Sequence, residues 1–277
     1  MRGGVRGHET DRVAIEEPLE IRLHGRPFAV IMRTPGADRE LAAGFLHAER
    51  VIGGADDLGT IEYCADAGRP DHLRQGSGGH EGGSQVPLNN IVNVMLTNGA
   101  EERLDTLLAG RRQVGVSSSC GLCGRQTIES LMTNVAPLAR TWTIGAARLA
   151  AIPDRLRARQ AAFDQTGGLH AAGLFDVGGS LVDIAEDVGR HNAVDKIVGR
   201  MLMREALPLS NCLLCVSGRV SFEIVQKAIF GGIPLVAAVS APSSLAIELA
   251  QESGVTLVGF ARGDSFNIYA HEGRIAE

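Results

Sequence analysis

Apolar and polar residues alternate over Glu20-Ile-Arg-Leu23 and again, after His24-Gly25, over Pro27 to Met32, which predicts two strands joined by a tight turn. Beyond Thr34-Pro-Gly-Ala-Asp38 the period changes: Leu41, Phe45, Ala48 and Ile52 recur at helical spacing, predicting a helix from Asp38 to Ile52 that stops at Gly53-Gly54. His47 and its neighbours Glu49 and Arg50 are expected on the solvent side of that helix. Ile91 to Leu96 reads as a strand, Glu101 to Ala109 as a helix ended by Gly110, and Gln126 to Val135 as a helix with Ile128, Leu131, Met132 and Val135 on one face.

From Thr166 the pattern becomes regular. A hairpin (His170 to Phe175, turn Val177 to Ser180, Leu181 to Ala185) leads to a helix over His191 to Glu205. The apolar strands Cys212 to Val216, Pro234 to Ser240 and Val255 to Phe260 follow, separated by helices near Ser221 to Phe230 and Ser243 to Gln251. Alternating strand and helix with apolar strands implies an α/β core: a mostly parallel sheet covered by helices. A smaller N-terminal α+β part over residues 12–140 and an α/β part over 141–277 are the expected domains. Gly68 to Gln85 holds six glycines and one aliphatic side chain, Leu73, too little apolar surface to offset ordering entropy, so a disordered surface insertion is expected there.

A chain of 277 residues buries a core without staples. Its net charge of −5 argues against a nucleic-acid coat or a polybasic membrane surface. Aromatics at 4% argue against a base-stacking single-strand binder. The best apolar run, Ile233 to Ala241, is half the length of a membrane span and contains Pro234. Met1 to Asp11 is polar and Gly/Arg-rich with no apolar signal segment, so a cytoplasmic protein is expected, its five cysteines reduced.

Cys120 and Cys123 form a Cys-x-x-Cys pair among glycines and serines, in Val116-Ser-Ser-Ser-Cys-Gly-Leu-Cys-Gly124. The predicted helix from Gln126 places unpaired N–H groups and a positive dipole end close by. Arg111, Arg112 and Arg125 lie in a stretch from Leu107 to Ile128 with no Asp or Glu. Both effects favour thiolates, so nucleophilic sulfur chemistry is expected: a thiolate of the pair attacks the sulfane sulfur of a partner's persulfide, and the second thiol resolves or protects it. Two zinc readings compete. A structural zinc needs two more ligands, for which Cys212 and Cys215 are the obvious source, yet three residues apart on a strand they face opposite ways. A deaminase zinc site would combine His47-Ala-Glu49 with Cys120 and Cys123, but no Pro precedes Cys120.

Three turns at strand-to-helix junctions are candidates for an anionic, nucleotide-like ligand, since the carboxyl ends of parallel strands line ligand crevices. In Glu186-Asp-Val-Gly-Arg-His-Asn-Ala-Val-Asp-Lys196, Asn192 is placed to cap the helix and Arg190, His191 and Lys196 to face a phosphate, or simply to form a solvated first turn. Ser217-Gly-Arg-Val-Ser221, with Arg219, and Ser240-Ala-Pro-Ser-Ser244 occupy equivalent turns. Phe260-Ala-Arg-Gly-Asp-Ser265 offers Arg262 for phosphate and Asp264 for a base edge, with ordinary turn chemistry as the alternative.

With these residues assembled, the sequence resembles the formate dehydrogenase accessory sulfurtransferase family, FdhD, from about Arg12 to Ala270. The resemblance rests on Thr34-Pro-Gly-Ala-Asp-Arg-Glu-Leu-Ala-Ala-Gly-Phe45, Ser118-Ser-Cys-Gly-Leu-Cys-Gly124, Gly168-Leu-His-Ala-Ala-Gly173, Asp187 to Lys196, Ser217-Gly-Arg219 and Arg262-Gly-Asp264. It implies a cytidine-deaminase-like core without the deaminase zinc. It also implies sulfur transfer from a cysteine desulfurase to the bis-guanine-dinucleotide form of the molybdenum (or tungsten) cofactor, required for formate dehydrogenase activity, and a homodimer. By position, Cys120 is the implied persulfide carrier and Cys123 its partner. Phe260, Ala261, Arg262, Gly263, Asp264 and Ser265 are the implied cofactor contacts, joined by Arg190, His191, Asn192 and Arg219 from the two turns. No metal site of its own is implied.

Overall fold

A computed structural model of the chain describes residues 10–64, 90–111 and 136–277. The Cys loop, the helix expected over Gln126 to Val135 and the insertion Gly68 to Gln85 lie outside these residues. In the N-terminal part, β1 (Glu17–Leu23) and β2 (Arg26–Arg33) form the expected hairpin around His24 and Gly25. Then come α1 (Asp38–Ala48), β3 (Leu58–Tyr63), β4 (Ile91–Leu96) and, after a short 3-10 turn, α2 (Leu104–Arg111). The sheet order is β2-β1-β4-β3, with β1 parallel to β4. Its inner residues Leu19, Ile21, Leu23, Val92 and Val94 pack on Leu41, Phe45 and Leu46 of α1, as period-two and helical spacing demand.

The second part opens with β5 (Ile144–Gly145) and three short helices, α3 (Ala146–Ala150), α4 (Ile152–Arg157) and α5 (Ala161–Thr166). The hairpin β6 (His170–Asp176) and β7 (Leu181–Asp187) leads into α6 (Arg190–Met203). Strands and helices then alternate: β8 (Cys212–Val216), α7 (Phe222–Phe230), β9 (Leu235–Ala238), α8 (Ser244–Ser253) and β10 (Thr256–Arg262). β11 (Ser265–Ala270) and the short β12 (Ile275–Ala276), paired with β5, complete the described chain. Residues 138–140 already run along this part, with Leu138 N–H donating to Ser253 O and Arg274 donating to the carbonyls of Leu138 and Ala139.

The six-stranded sheet has the order β11-β10-β9-β8-β6-β7. Only β8-β9 and β9-β10 are parallel; β7-β6, β6-β8 and β10-β11 are antiparallel, which corrects the expectation of a mostly parallel sheet. The cause is a hairpin at each edge. The first was expected; the second turns through Gly263-Asp264 between the paired residues Arg262 and Ser265, so the chain continues as β11 where the sequence reading had stopped at Phe260.

Both faces of this sheet are covered. Leu214, Val216, Val236 and Ala238 face α6, α7 and α8, while Leu213, Cys215, Leu235 and Ala237 face Leu149, Ile152 and Leu156 of α3 and α4. Cys212 packs on the first face and Cys215 is buried in the second, so one metal cannot take both, as odd spacing on a strand predicts. Burial pushes the Cys215 thiol up to about 12, leaving it an inert core residue.

The two parts meet where α1 crosses α6. A Cβ on Gly44 would lie 2.0 Å from Asp195 O, and one on Gly199 would lie 1.9 Å from Glu40 O, so the backbones touch. This crossing corrects the expectation that His47 faces solvent. α1 is covered by the N-terminal sheet on one side and by α6 and α7 on the other, and His47 is 6% exposed with Nε2–H donating to Phe230 O at 3.1 Å. Burial lowers its basicity. Gly44→Ala and Gly199→Ala are each expected to cost about 3 kcal/mol through overpacking, read as a lower urea midpoint at unchanged slope.

Candidate functional site

A cleft of about 510 Å3 opens at the carboxyl ends of β8, β9 and β10, where Ser217, Val239, Ala261, Arg262 and Gly263 line one wall. α4, α5 and the start of β6 supply the other, through Leu156, Arg157, Phe163, Gly167, Gly168 and His170. The volume falls within the roughly 300–1,000 Å3 of small-molecule sites. The site also lies where open α/β sheets bind ligands, outside the carboxyl ends of parallel strands.

Its wall is shaped by a bulge in β10. The register slips between Gly259 and Arg262, Phe260 adopts a left-handed φ of 54°, and its N–H donates to Ser240 O at 3.2 Å. The extra residue turns Phe260 outward, 43% exposed, and sets Ala261 fully buried against the cleft. Arg262 folds back so that Nε donates to Val239 O at 3.3 Å. Gly263, Asp264 and Ser265 form the exposed hairpin tip at the rim, so Ala261, Arg262 and Gly263 reach the cleft lining and Phe260, Asp264 and Ser265 do not.

The opposite wall carries the residue the site-by-site reading missed. His170, the first residue of β6, is half-buried and lines the cleft; the Gly168 to Gly173 motif contains it, but no spacing rule marked it as a ligand contact. Its basicity is lowered by burial first, then by Arg190 and His191, against the opposing pull of Asp187. Ser217 beside it is committed to the sheet, its Oγ accepting from Ala171 N–H at 2.8 Å. Arg157 is held by Asp164 at 2.6 Å and lies over the Phe163 ring.

The motif at the start of α6 is mostly turned inward. Asp187, fully buried, accepts from four donors: Thr34 N–H at 3.1 Å, Gly189 N–H at 2.8 Å, Asn192 Nδ2 at 2.9 Å and Lys196 Nζ at 2.7 Å. Asn192 therefore does not cap the helix. Gly189 stands at the cap position, and Asn192 Nδ2 also donates to Met32 O at 2.8 Å. Lys196 reaches Thr34 O at 2.9 Å, and Val188 N–H donates to Thr34 Oγ1 at 3.1 Å. The Thr34 to Asp38 turn is thus clamped onto α6, and its other end is held by buried Arg33, paired to Asp38 at 2.8 Å.

His191, 6% exposed, points its Nε2 at both Ser221 Oγ and Glu223 Oε2, 2.9 Å from each. A ring nitrogen facing a carboxylate carries the hydrogen and donates it, so His191 ties α6 to the start of α7 and does not line the cleft. Arg219 is exposed in the β8–α7 turn, also outside the lining. Arg190 is outside the lining with its stem close to His170, and its Nε is buried without a partner among the described residues. Cys120 and Cys123 lie outside the described residues.

The FdhD/NarQ family profile matches residues 14–276. The chain belongs to that family. It is 50% identical to the sulfur carrier protein FdhD of Streptomyces avermitilis, over 100% of this chain and 93% of that protein. It is 46% identical to the sulfur carrier protein FdhD of Mycobacterium tuberculosis, over 96% and 92% of the two chains. A solved structure described as a formate dehydrogenase accessory protein from Desulfotalea psychrophila matches with a TM-score of 0.72 at 28% identity, covering 100% of this chain and 96% of that one.

In this FdhD/NarQ family member the Thr34 to Phe45 and Asp187 to Lys196 motifs meet as one internal clamp. Asp187→Ala is expected to lose about 3–5 kcal/mol of stability by stranding the Lys196 charge, measured by chemical denaturation. The double change Asp187→Leu with Lys196→Met recovers part of that loss, because both buried charges are gone.

Proposed function

We propose that this protein is the sulfur carrier of a formate dehydrogenase maturation pathway, a sulfurtransferase that accepts persulfide sulfur and passes it to a guanine-dinucleotide molybdenum cofactor. The observation that carries the reading is full-length similarity to sulfur carrier proteins at 46–50% identity. The donor is a cysteine desulfurase and the client is formate dehydrogenase.

In the first step the Cys120 thiolate attacks the outer sulfur of the donor's persulfide. A new S–S bond forms on Cys120, the donor S–S bond breaks and the donor leaves as its thiolate. Cys123, three residues on, protects or resolves the persulfide. Arg111, Arg112 and Arg125 favour the anionic sulfur at both stages.

The cofactor is a substrate here, and the cleft is offered as the place for one of its guanine-dinucleotide ends. Arg262, Arg157 and His170 supply positive or proton-donating groups for a pyrophosphate, and the backbone of Ala261 and Gly263 approaches without bulky side chains. Phe260, Asp264 and Ser265 extend the contact along the rim, with Arg190 and Arg219 as flanking cations. His191 and Asn192 support the site from beneath through α7 and the Asp187 clamp. A hairpin, a helix and three strands alternating with helices support a deaminase-like ancestry for the core. Cys212 and Cys215 on opposite sheet faces give the structural zinc reading no support. Action in the cytoplasm as a homodimer completes the reading; among the described residues no helix is long and apolar enough to cross a membrane.

Incubation with a cysteine desulfurase and cysteine is expected to add about 32 Da per sulfur by intact mass, reversed by reductant and absent from Cys120→Ala. An equal gain in Cys120→Ala would remove the nucleophile assignment. The same variant is expected to keep the parent's thermal melt while failing to support formate dehydrogenase activity.

A further inference from the structure

His170 is a titratable side chain of the cleft with an unspent hydrogen-bonding edge. It lines the cavity and is half-buried, and its ring makes no hydrogen bond to a described residue. The ring lies against Gly218: a Cβ there would sit 3.2 Å from His170 Nδ1 and 3.7 Å from Arg190 Cδ. Glycine at 218 therefore lets the imidazole and the Arg190 stem share one side of a backbone turn. Arg190 Nε is buried and lacks a partner among the described residues, and the Arg190 stem lies close to the ring.

We infer that His170 contacts the anionic part of the ligand and takes up a proton as that ligand binds. The inference rests on the cleft being the nucleotide site proposed above. The groups around the ring are Arg190 and His191 of α6 and Asp187 at the end of β7. Arg157 and Asp154 of α4 and Arg262 of β10 line the same cavity, with Arg157 already held by Asp164. Burial first and then the cations dominate, and they set the ring's basicity below the ordinary histidine value. A pyrophosphate entering the cleft brings two negative charges to the same place and favours the imidazolium. The incoming proton comes from solvent, so charge balances without any other reactant.

The sign follows from linkage. The bound state holds the proton more tightly than the free state, so affinity rises as pH falls through the interval between the two values and is flat on either side. The dependence is at most about tenfold per pH unit for one proton.

GDP-mannose is a suitable probe, because its pyrophosphate is a diester and keeps its charge through neutral pH. Calorimetry in buffers of different ionisation heat is expected to show proton uptake on binding and about a three- to tenfold tighter complex near pH 6 than near pH 7.5. His170→Gln, with a thermal melt like the parent's, is expected to bind the probe with no uptake and a flat pH profile. The same slope and uptake in His170→Gln would overturn the inference and leave the cleft reading standing. Absence of binding to either protein would overturn the cleft reading and this inference with it. An NMR titration of the histidine rings in the parent protein reads the effect without substitution: the His170 signal must titrate at higher pH with the probe than without it, and no upward move overturns the assignment.

Discussion

The Asp187 carboxylate is the point on which the two halves of the fold are fixed. It is fully buried, and a buried charge survives only if paired and fully hydrogen-bonded. Its four donors come from the Thr34 turn, the Gly189 bend, Asn192 and Lys196, so satisfying one group positions the entry of α1 and the entry of α6 together. The two helices then run against each other closely enough that only glycine fits at positions 44 and 199. The N-terminal sheet rides on α1 and the six-stranded sheet on α6.

The same clamp explains what was legible in the sequence and what was not. Strand faces were readable because alternation is local: Cys212 and Cys215 fall on opposite faces as an odd spacing requires. The hairpin at Val177 to Ser180 was readable from its turn residues, closed by Asp176 Oδ1 accepting from Ser180 N–H. β11 was missed because Phe260 to Ser265 looks like the end of an apolar strand; the bulge at Phe260 breaks the alternation that would have carried the pattern through the Gly263-Asp264 turn. Charge at a helix start is more ambiguous. Arg190, His191, Asn192 and Lys196 present the same one-dimensional signature whether they face an external phosphate or an internal carboxylate. Asn192 and Lys196 face Asp187, His191 faces Glu223 and Ser221, and only Arg190 keeps an unpartnered nitrogen. No local rule separates these cases, because the answer depends on Thr34, about 150 residues upstream in the chain.

In the proposed function, sulfur transfer and ligand capture place opposite demands on a chain. A persulfide must reach from one protein's thiol to another acceptor, which suits the Gly/Ser-rich sequence around Cys120 and Cys123. A nucleotide site must hold its donors still, which suits the ends of strands buried on both faces. Ala261 is fully buried and Arg262 is tied to Val239 O, so the lining of the cleft is set by the sheet and its bulge.

Net charge sets the background against which that cleft works. A chain carrying −5 repels polyanions at long range, and salt screens that repulsion beyond about 10 Å. The charged side chains of the cleft lining are Arg157, Arg262 and Asp154; Arg157 is paired with Asp164, and Arg262 has no carboxylate bonded to it among the described residues. In the proposed function, a ligand narrow enough to enter the cavity meets the cleft's arginines before solvent screens them. A bulky polyanion meets the acidic exterior instead. Arg190 Nε, near the His170 ring but outside the cleft lining, is buried with no partner among the described residues, and an unmet buried donor is a cost that the fold carries by itself.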